Sequence, residues 1–197
     1  MPLEFWSTLA SFATFVVITA TAIAAIVQLR HLRSSNQIAA FNELRVEAES
    51  SQFTAALNFV ISDLGKALED PAFRHQISTR GARTEANQAL ISKLIAVGNY
   101  FTTAGMLVKM GLIDRELAVE NLCTVAVPCW EALEPVVAIV RRGGGVLWEN
   151  FEYFTVLSQE WITAHPEGAY PPGVRRLEVK DKWREADARY AASLLAV

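Results

Sequence analysis

The side chains able to do acid–base, nucleophilic or metal chemistry in this chain are few and scattered: three histidines, His31, His75 and His165, and two cysteines, Cys123 and Cys129. A carboxylate-bridged di-metal centre in a helical bundle needs Glu-x-x-His pairs that project inward. Gln28, Ala72 and Ile162 occupy the positions three before the histidines, so that centre is excluded. Zinc asks for four nitrogen or sulfur ligands. The cysteines lie six apart on helical sequence, off a common face and with no histidine close by, so they read as small apolar core residues and not as a disulfide. Free thiols fit a reducing compartment. Gly143-Gly144-Gly145 follows a helix and lacks the lysine of a phosphate loop, so it reads as a helix cap and hinge, with Arg141 and Arg142 complementing the helix C-terminus. No Gly-x-Ser-x-Gly elbow occurs. The expectation is a chain without metal, cofactor or assignable catalytic residue.

Two ionic groupings remain. Glu116 and Glu120 share a helix face, Glu131 and Glu134 follow, and all can be brought toward Arg141 or Arg142 by folding. Such a set is either a binding pocket or a solvated face of weak ion pairs. The stretch from Arg74 to Arg83, RHQISTRGAR, holds three arginines, a histidine and no acid, which suits a phosphate or lipid headgroup, or else a solvated loop bending at Gly81. The candidate interaction residues are therefore Glu120, Trp130, Glu131 and Arg141, with Arg80 and Arg83. A net charge of −3 gives no basic footprint, so no nucleic-acid partner is expected.

The element that must position all of these is the stretch from Thr8 to Val27, twenty residues without a charge. At about 1.5 Å per residue it covers roughly 30 Å, the hydrocarbon thickness of a bilayer. Its nine large apolar side chains favour insertion by roughly 3–5 kcal/mol together. Four threonines and Ser11 reduce that only modestly, because their hydroxyls can bond back to helix carbonyls. Trp6 stands at one end with Glu4, and Arg30, His31 and Arg33 stand at the other, so the positive-inside rule places the N-terminus out and the body of the chain in the cytosol. A cleaved signal peptide wants a basic leader that is missing here. A buried core helix wants a polar face that this run lacks. Ala20 with Ala24, and Thr21 with Ala25, are spaced for close approach of a second helix, or are simply common residues of the segment.

Beyond the run, Gln28 to Glu49 has no Pro or Gly and continues as a helical stalk, with Ile38, Phe41 and Leu44 or Arg45 in helical period. Ser50 or Ser51 caps a helix carrying the stripe Phe53, Leu57, Val60, Leu64 and Leu68, which ends at Glu69-Asp70-Pro71. Thr84 caps the next, apolar on two sides through Leu90, Leu94, Val97, Phe101 and Val108 with Ile91 and Ile95, and so placed in the middle of the domain. It stops at Gly111, and Asp114 caps an antiparallel successor. Pro128 and Pro135 predict kinks or a break in that successor. An aromatic-rich helix follows from Val146 to about Ala164, then Pro-rich turns, then a charged helix from Arg175 to about Leu195 with Val179, Trp183, Ala186, Tyr190 and Leu194 on one face.

NYFTTAGMLVKMGLID (Asn99–Asp114), Trp130-Glu131-Ala132-Leu133 with Pro135, Arg141-Arg142, and ENFEYF (Glu149–Phe154) resemble uncharacterised bacterial proteins of the domain of unknown function 4760 type. The resemblance covers roughly residues 10–160 and includes the Gln-Leu-Arg-His of Gln28 to His31 after the membrane helix. It implies architecture only, since no activity comes with it.

The expected fold is all-α: a single N-terminal transmembrane helix continuing into a stalk, followed by a cytosolic bundle of about five helices. The anchor occupies 1–33 with its span at about 8–27, the stalk 34–49, the helical core 50–165, and a proline-rich loop with an amphipathic helix 166–197. The expected function is a binding or scaffold module on the cytosolic face of the cell inner membrane, with the lipid bilayer and a protein partner or second copy as its partners. The aromatic stock of Trp130, Trp148, Phe151 and Trp161 exceeds what a small core needs and supplies interface material. The alternative is a ligand-responsive sensor or effector that rearranges its anchor, and a membrane-tethered enzyme is a third class.

Overall fold

One unbroken helix, α1 (Leu3–Ala48), joins the apolar run to the rest of the protein in the computed structural model, which describes residues 3–79 and 83–194. Its 46 residues span roughly 70 Å at helical rise. None of its most apolar window is covered by protein, so α1 is long and apolar enough to cross a membrane and supports membrane anchoring. Thr14 and Thr21 return their hydroxyls to the carbonyls of Ala10 and Val17 at 2.8 Å, which removes the polar cost of threonine in such a segment. The far end of α1 does not stand free as a stalk. Leu44 is buried, Ala40, Phe41 and Ala48 pack against the core, and Ile38 remains exposed.

Each following helix starts where a side-chain oxygen takes an orphan backbone N–H. Ser50 accepts from Phe53 N for α2 (Ser51–Asn58), which passes through a π-helical turn (Phe59–Asp63) into α3 (Leu64–Ala67). The wider turn rotates the chain so that Phe59 and Val60 both enter the core beside Phe53 and Leu64, while Leu57 and Leu68 are only partly buried. Asp70 caps α4 (Pro71–Ser78), so proline takes the first helical position, and the first half of the basic stretch is helix and not loop. Thr84 caps α5 (Glu85–Lys109), and Asp114 caps α6 (Arg115–Arg141) through Leu117 N at 3.0 Å. Between them the Gly111 N–H bonds Val108 O and the Leu112 N–H bonds Leu107 O, a Schellman closure made possible by φ +67° at Gly111. Removing the cap in Asp114→Ala is expected to cost about 1 kcal/mol in denaturant titrations of the detergent-solubilised protein, with Asp114→Asn restoring most of it.

The break expected at Pro128 and Pro135 does not occur: α6 runs through both as one helix of 27 residues. Each proline forfeits one intrahelical hydrogen bond, and the neighbouring Cys129, Leu133, Val136 and Val137 are buried tightly enough to offset that loss. After the glycines, α7 (Glu149–Ala164) begins three residues later than Val146. As its two apolar sides predict, α5 lies in the middle, against α2, α4, α6 and α7, and α7 lies along both α5 and α6. Phe101 of α5 stacks on Phe151 of α7 at 4.8 Å, and Trp130 of α6 meets the same ring edge-on at 5.1 Å. With residues 51–67 taken as one rod, α2 to α7 form the expected five-membered bundle, and no strand occurs among the described residues.

Two further helices, α5 and α6, also reach the length and apolarity of a span, but 50% and 39% of their windows are buried inside the domain. Residues up to Pro166 form one compact unit and Glu167–Val197 a second. In the second, helix α8 (Arg184–Leu194) starts nine residues later than Arg175. Asp181 explains the start, since its carboxylate accepts from Trp183 N and Arg184 N, an Asx turn that defines a helix entry there. Val179, Trp183 and Tyr190 are exposed.

Candidate functional site

The groove between α6 and α7 arises from helical spacing on both walls. Trp130, Glu134, Val137, Ala138 and Arg141 recur at about one turn along α6, and Glu152, Thr155, Val156 and Gln159 do so along α7, enclosing about 350 Å³. Arg141 reaches across the glycine loop, donating to Glu152 Oε2 at 2.7 Å and to Leu147 O at 2.8 Å. From the last turn of α6, where its charge complements the helix end as expected, it thus bridges α6 and α7. Its Nε has no hydrogen-bond partner among the described residues. The half-buried pair lies in the same groove as the Trp130 indole, so the groove offers a cation, a carboxylate, an amide and an aromatic face at one place. That set recognises polar or charged surface groups through hydrogen bonds and stacking.

The candidate residues separate. Trp130 and Arg141 come together in this groove, whereas Glu120 and Glu131 are exposed on other sides of α6 and line no part of it. Arg83 lies elsewhere, tying α4 to α5 through Gln76 O at 3.3 Å and Gln88 Oε1 at 3.4 Å. Arg80 lies outside the described residues. Arg74 closes the preceding turn by donating to the carbonyls of Leu68 and Glu69. Glu116 belongs to a separate depression beside Arg115, Glu160 and Trp161, where Arg115 pairs with Glu160 at 3.4 Å.

Both cysteines are buried in the core. Burial pushes the Cys129 thiol up to about 12 and raises Cys123 as well, which keeps both protonated and unreactive at neutral pH. Among the described residues no three histidine, cysteine or carboxylate side chains gather as a metal set.

A second cavity of about 330 Å³ lies along the N-terminal half of α5, walled by Ile77, Ile91, Leu94, Val136 and Trp148 with Ser78, Arg83 and Asn99 as its polar groups. Trp148 is buried in the left-handed region at φ 57°, ψ 37°, a strained place for a bulky residue, and its indole N–H donates to Asn99 Oδ1 at 3.2 Å. Sequence reasoning did not single out Glu152 or the Trp148–Asn99 pair. Glu152 stands in the first turn of α7, where acids are common, and nothing in its spacing links it to Arg141 until the glycine loop folds the helices together.

The family model for the domain of unknown function DUF4760 matches residues 15–157, most of the chain including the second half of the apolar run and all of the bundle but the end of α7. No curated protein and no solved structure matches. The chain belongs to the DUF4760 family.

Proposed function

We propose that this protein is a single-pass, membrane-anchored binding module, with its helical bundle on the cytosolic side of a bacterial inner membrane and its α6–α7 groove taking a protein partner or a second copy. The observation that carries the reading is the continuity of α1. One helix leads without a break from the unburied apolar run to Leu44 in the domain core, so the domain is held rigidly against the membrane it is anchored to. The basic residues Arg30, His31 and Arg33 at the domain side of the run support the cytosolic orientation. The Arg141–Glu152 pair and the Trp130 indole support recognition, since a half-buried ion pair beside a partly buried aromatic is what interface anchors are made of. A photo-crosslinking residue at Val156, inside the groove, is expected to give in living cells a discrete adduct that disappears in Trp130→Ala. Equal adducts from a probe at exposed Glu120, or none from Val156, would refute the groove as the contact.

A second reading, a ligand-responsive sensor, is favoured by the apolar cavity around strained Trp148 with Arg83 at its wall. Charge reversal in Arg83→Glu that leaves cell phenotype and protein stability unchanged would count against it.

A further inference from the structure

We infer that the turn joining α5 to α6, Met110 to Leu112, is a second membrane contact that sits among the lipid headgroups of the bilayer α1 enters. The inference rests on the anchoring reading and extends it from the helix to the domain. Leu112 and Gly111 form a shallow groove with Leu29, Leu32, Arg33 and Gln37 of α1, and Gln37 Nε2 donates to Gly111 O at 3.4 Å. The turn is therefore docked on α1 at a known height. Leu29 and Leu32 follow the end of the apolar run at Val27 by two and five residues, which is roughly 3–8 Å at helical rise. The headgroup layer beyond the hydrocarbon is about 5–7 Å deep on each side. Leu112 thus stands at headgroup depth.

The chemistry of the turn suits that layer. Met110 is 64% and Leu112 47% exposed, two large apolar side chains at the tip of a hairpin, a placement that costs free energy in water and gains it in an interface. Lys109 directly precedes the turn and Arg33 lies beside Gly111 and Leu112, cations placed to meet lipid phosphates. The carboxylates at the same end are already engaged or lie to one side: Asp114 caps α6, Glu160 pairs with Arg115, and Glu116 sits beside that pair. Helix α7 runs parallel to α5, since Trp148 meets Gly98 and Phe154 meets Gly105. It therefore brings Trp161 and Ile162 to this same end, with the Trp161 indole beside Arg115 and Glu116 at the start of α6.

The test uses the full-length protein in vesicles of phosphatidylethanolamine and phosphatidylglycerol, with an environment-sensitive fluorophore on Leu112→Cys, Val17→Cys or Ala86→Cys. Cys123 and Cys129 do not compete for label, being buried with raised thiol pKa. The Leu112 label is expected to emit to the blue of the Ala86 label, at the opposite end of α5, and to be quenched severalfold more by headgroup-linked than by mid-chain nitroxide lipid. The Val17 label is expected to be quenched by the mid-chain lipid. If the substitution at Leu112 disturbs the fold, Met110→Cys gives the same readout from a more exposed position. A quenched Val17 with a Leu112 label as wet as Ala86 overturns the inference and leaves the anchor standing. A Val17 label untouched by either lipid overturns both. A Leu112 label shielded from aqueous iodide yet blind to the lipid quenchers puts a second copy there and overturns the lipid assignment.

Discussion

Gly105→Ala is expected to destabilise the bundle by more than about 3 kcal/mol, enough to threaten a domain whose total stability is roughly 5–15 kcal/mol. A β-carbon at this position would stand 2.0 Å from the backbone carbonyl oxygen of Asn150 and 2.8 Å from its carbon. Ordinary contact begins near 3.4 Å, so α5 and α7 would have to part by more than 1 Å along the interface that holds Phe101 against Phe151 and Phe154. The obstacle is main chain and cannot swing aside. Alanine gains about 1 kcal/mol of helix propensity over glycine, too little to offset such a separation. Gly65 in α3 provides the internal comparison. Nothing lies within 4 Å of its added β-carbon, so Gly65→Ala is expected to be neutral or stabilising by up to about 1 kcal/mol in the same thermal or denaturant titration. Equal effects at the two glycines would mean that α5 and α7 do not meet at this distance.

Gly98→Ala should be damaging for a different reason, and that difference can be measured. Here the added β-carbon would lie 2.1 to 2.6 Å from three atoms of the Trp148 ring, a side chain that can leave. Expelling it forfeits a buried indole and its bond to Asn99, a loss of roughly 3–5 kcal/mol, about that of Trp148→Ala itself. Once the ring is gone, the three atoms nearest a β-carbon at Gly98 go with it. The double variant Gly98→Ala/Trp148→Ala is therefore expected to be no less stable than Trp148→Ala alone, giving a coupling of about 2 kcal/mol or more in a double-mutant cycle. Strict additivity of the two losses would contradict the packing described. No such rescue is available at Gly105, where the clash is with backbone.

Those two glycines also show where sequence reading stops. Signals that act within one turn of helix were legible: Ser50, Thr84 and Asp114 each cap the helix expected of them, and Gly111 ends α5. Most of the α5 stripe likewise leads to the observed core, with Ile91, Leu94, Val97, Phe101 and Val108 buried, while Ile95 is exposed. What depends on a neighbouring helix was not legible. Gly98 and Gly105 look like helix-weakening residues until α7 is laid against them. Pro128 and Pro135 look like breakers until the buried residues around them carry α6 on as one helix. The π turn at Phe59 follows from packing two adjacent residues into one core, which no single-helix period anticipates. At α8 the competing signal was local, with Asp181 setting the start and the apolar spacing before it misleading. For the groove, Trp130 and Arg141 were in view from the sequence, while the partner of Arg141 became visible only when the glycine loop turned α7 back on α6.

A pair of reporters fused after Val197 tests the proposed cytosolic placement of the domain most directly. That placement predicts a fluorescent green fluorescent protein fusion and an inactive alkaline phosphatase fusion, both recovered in the membrane fraction. A phosphatase active in the periplasm, with a dark fluorescent fusion, would contradict it and reverse the orientation read from Arg30, His31 and Arg33.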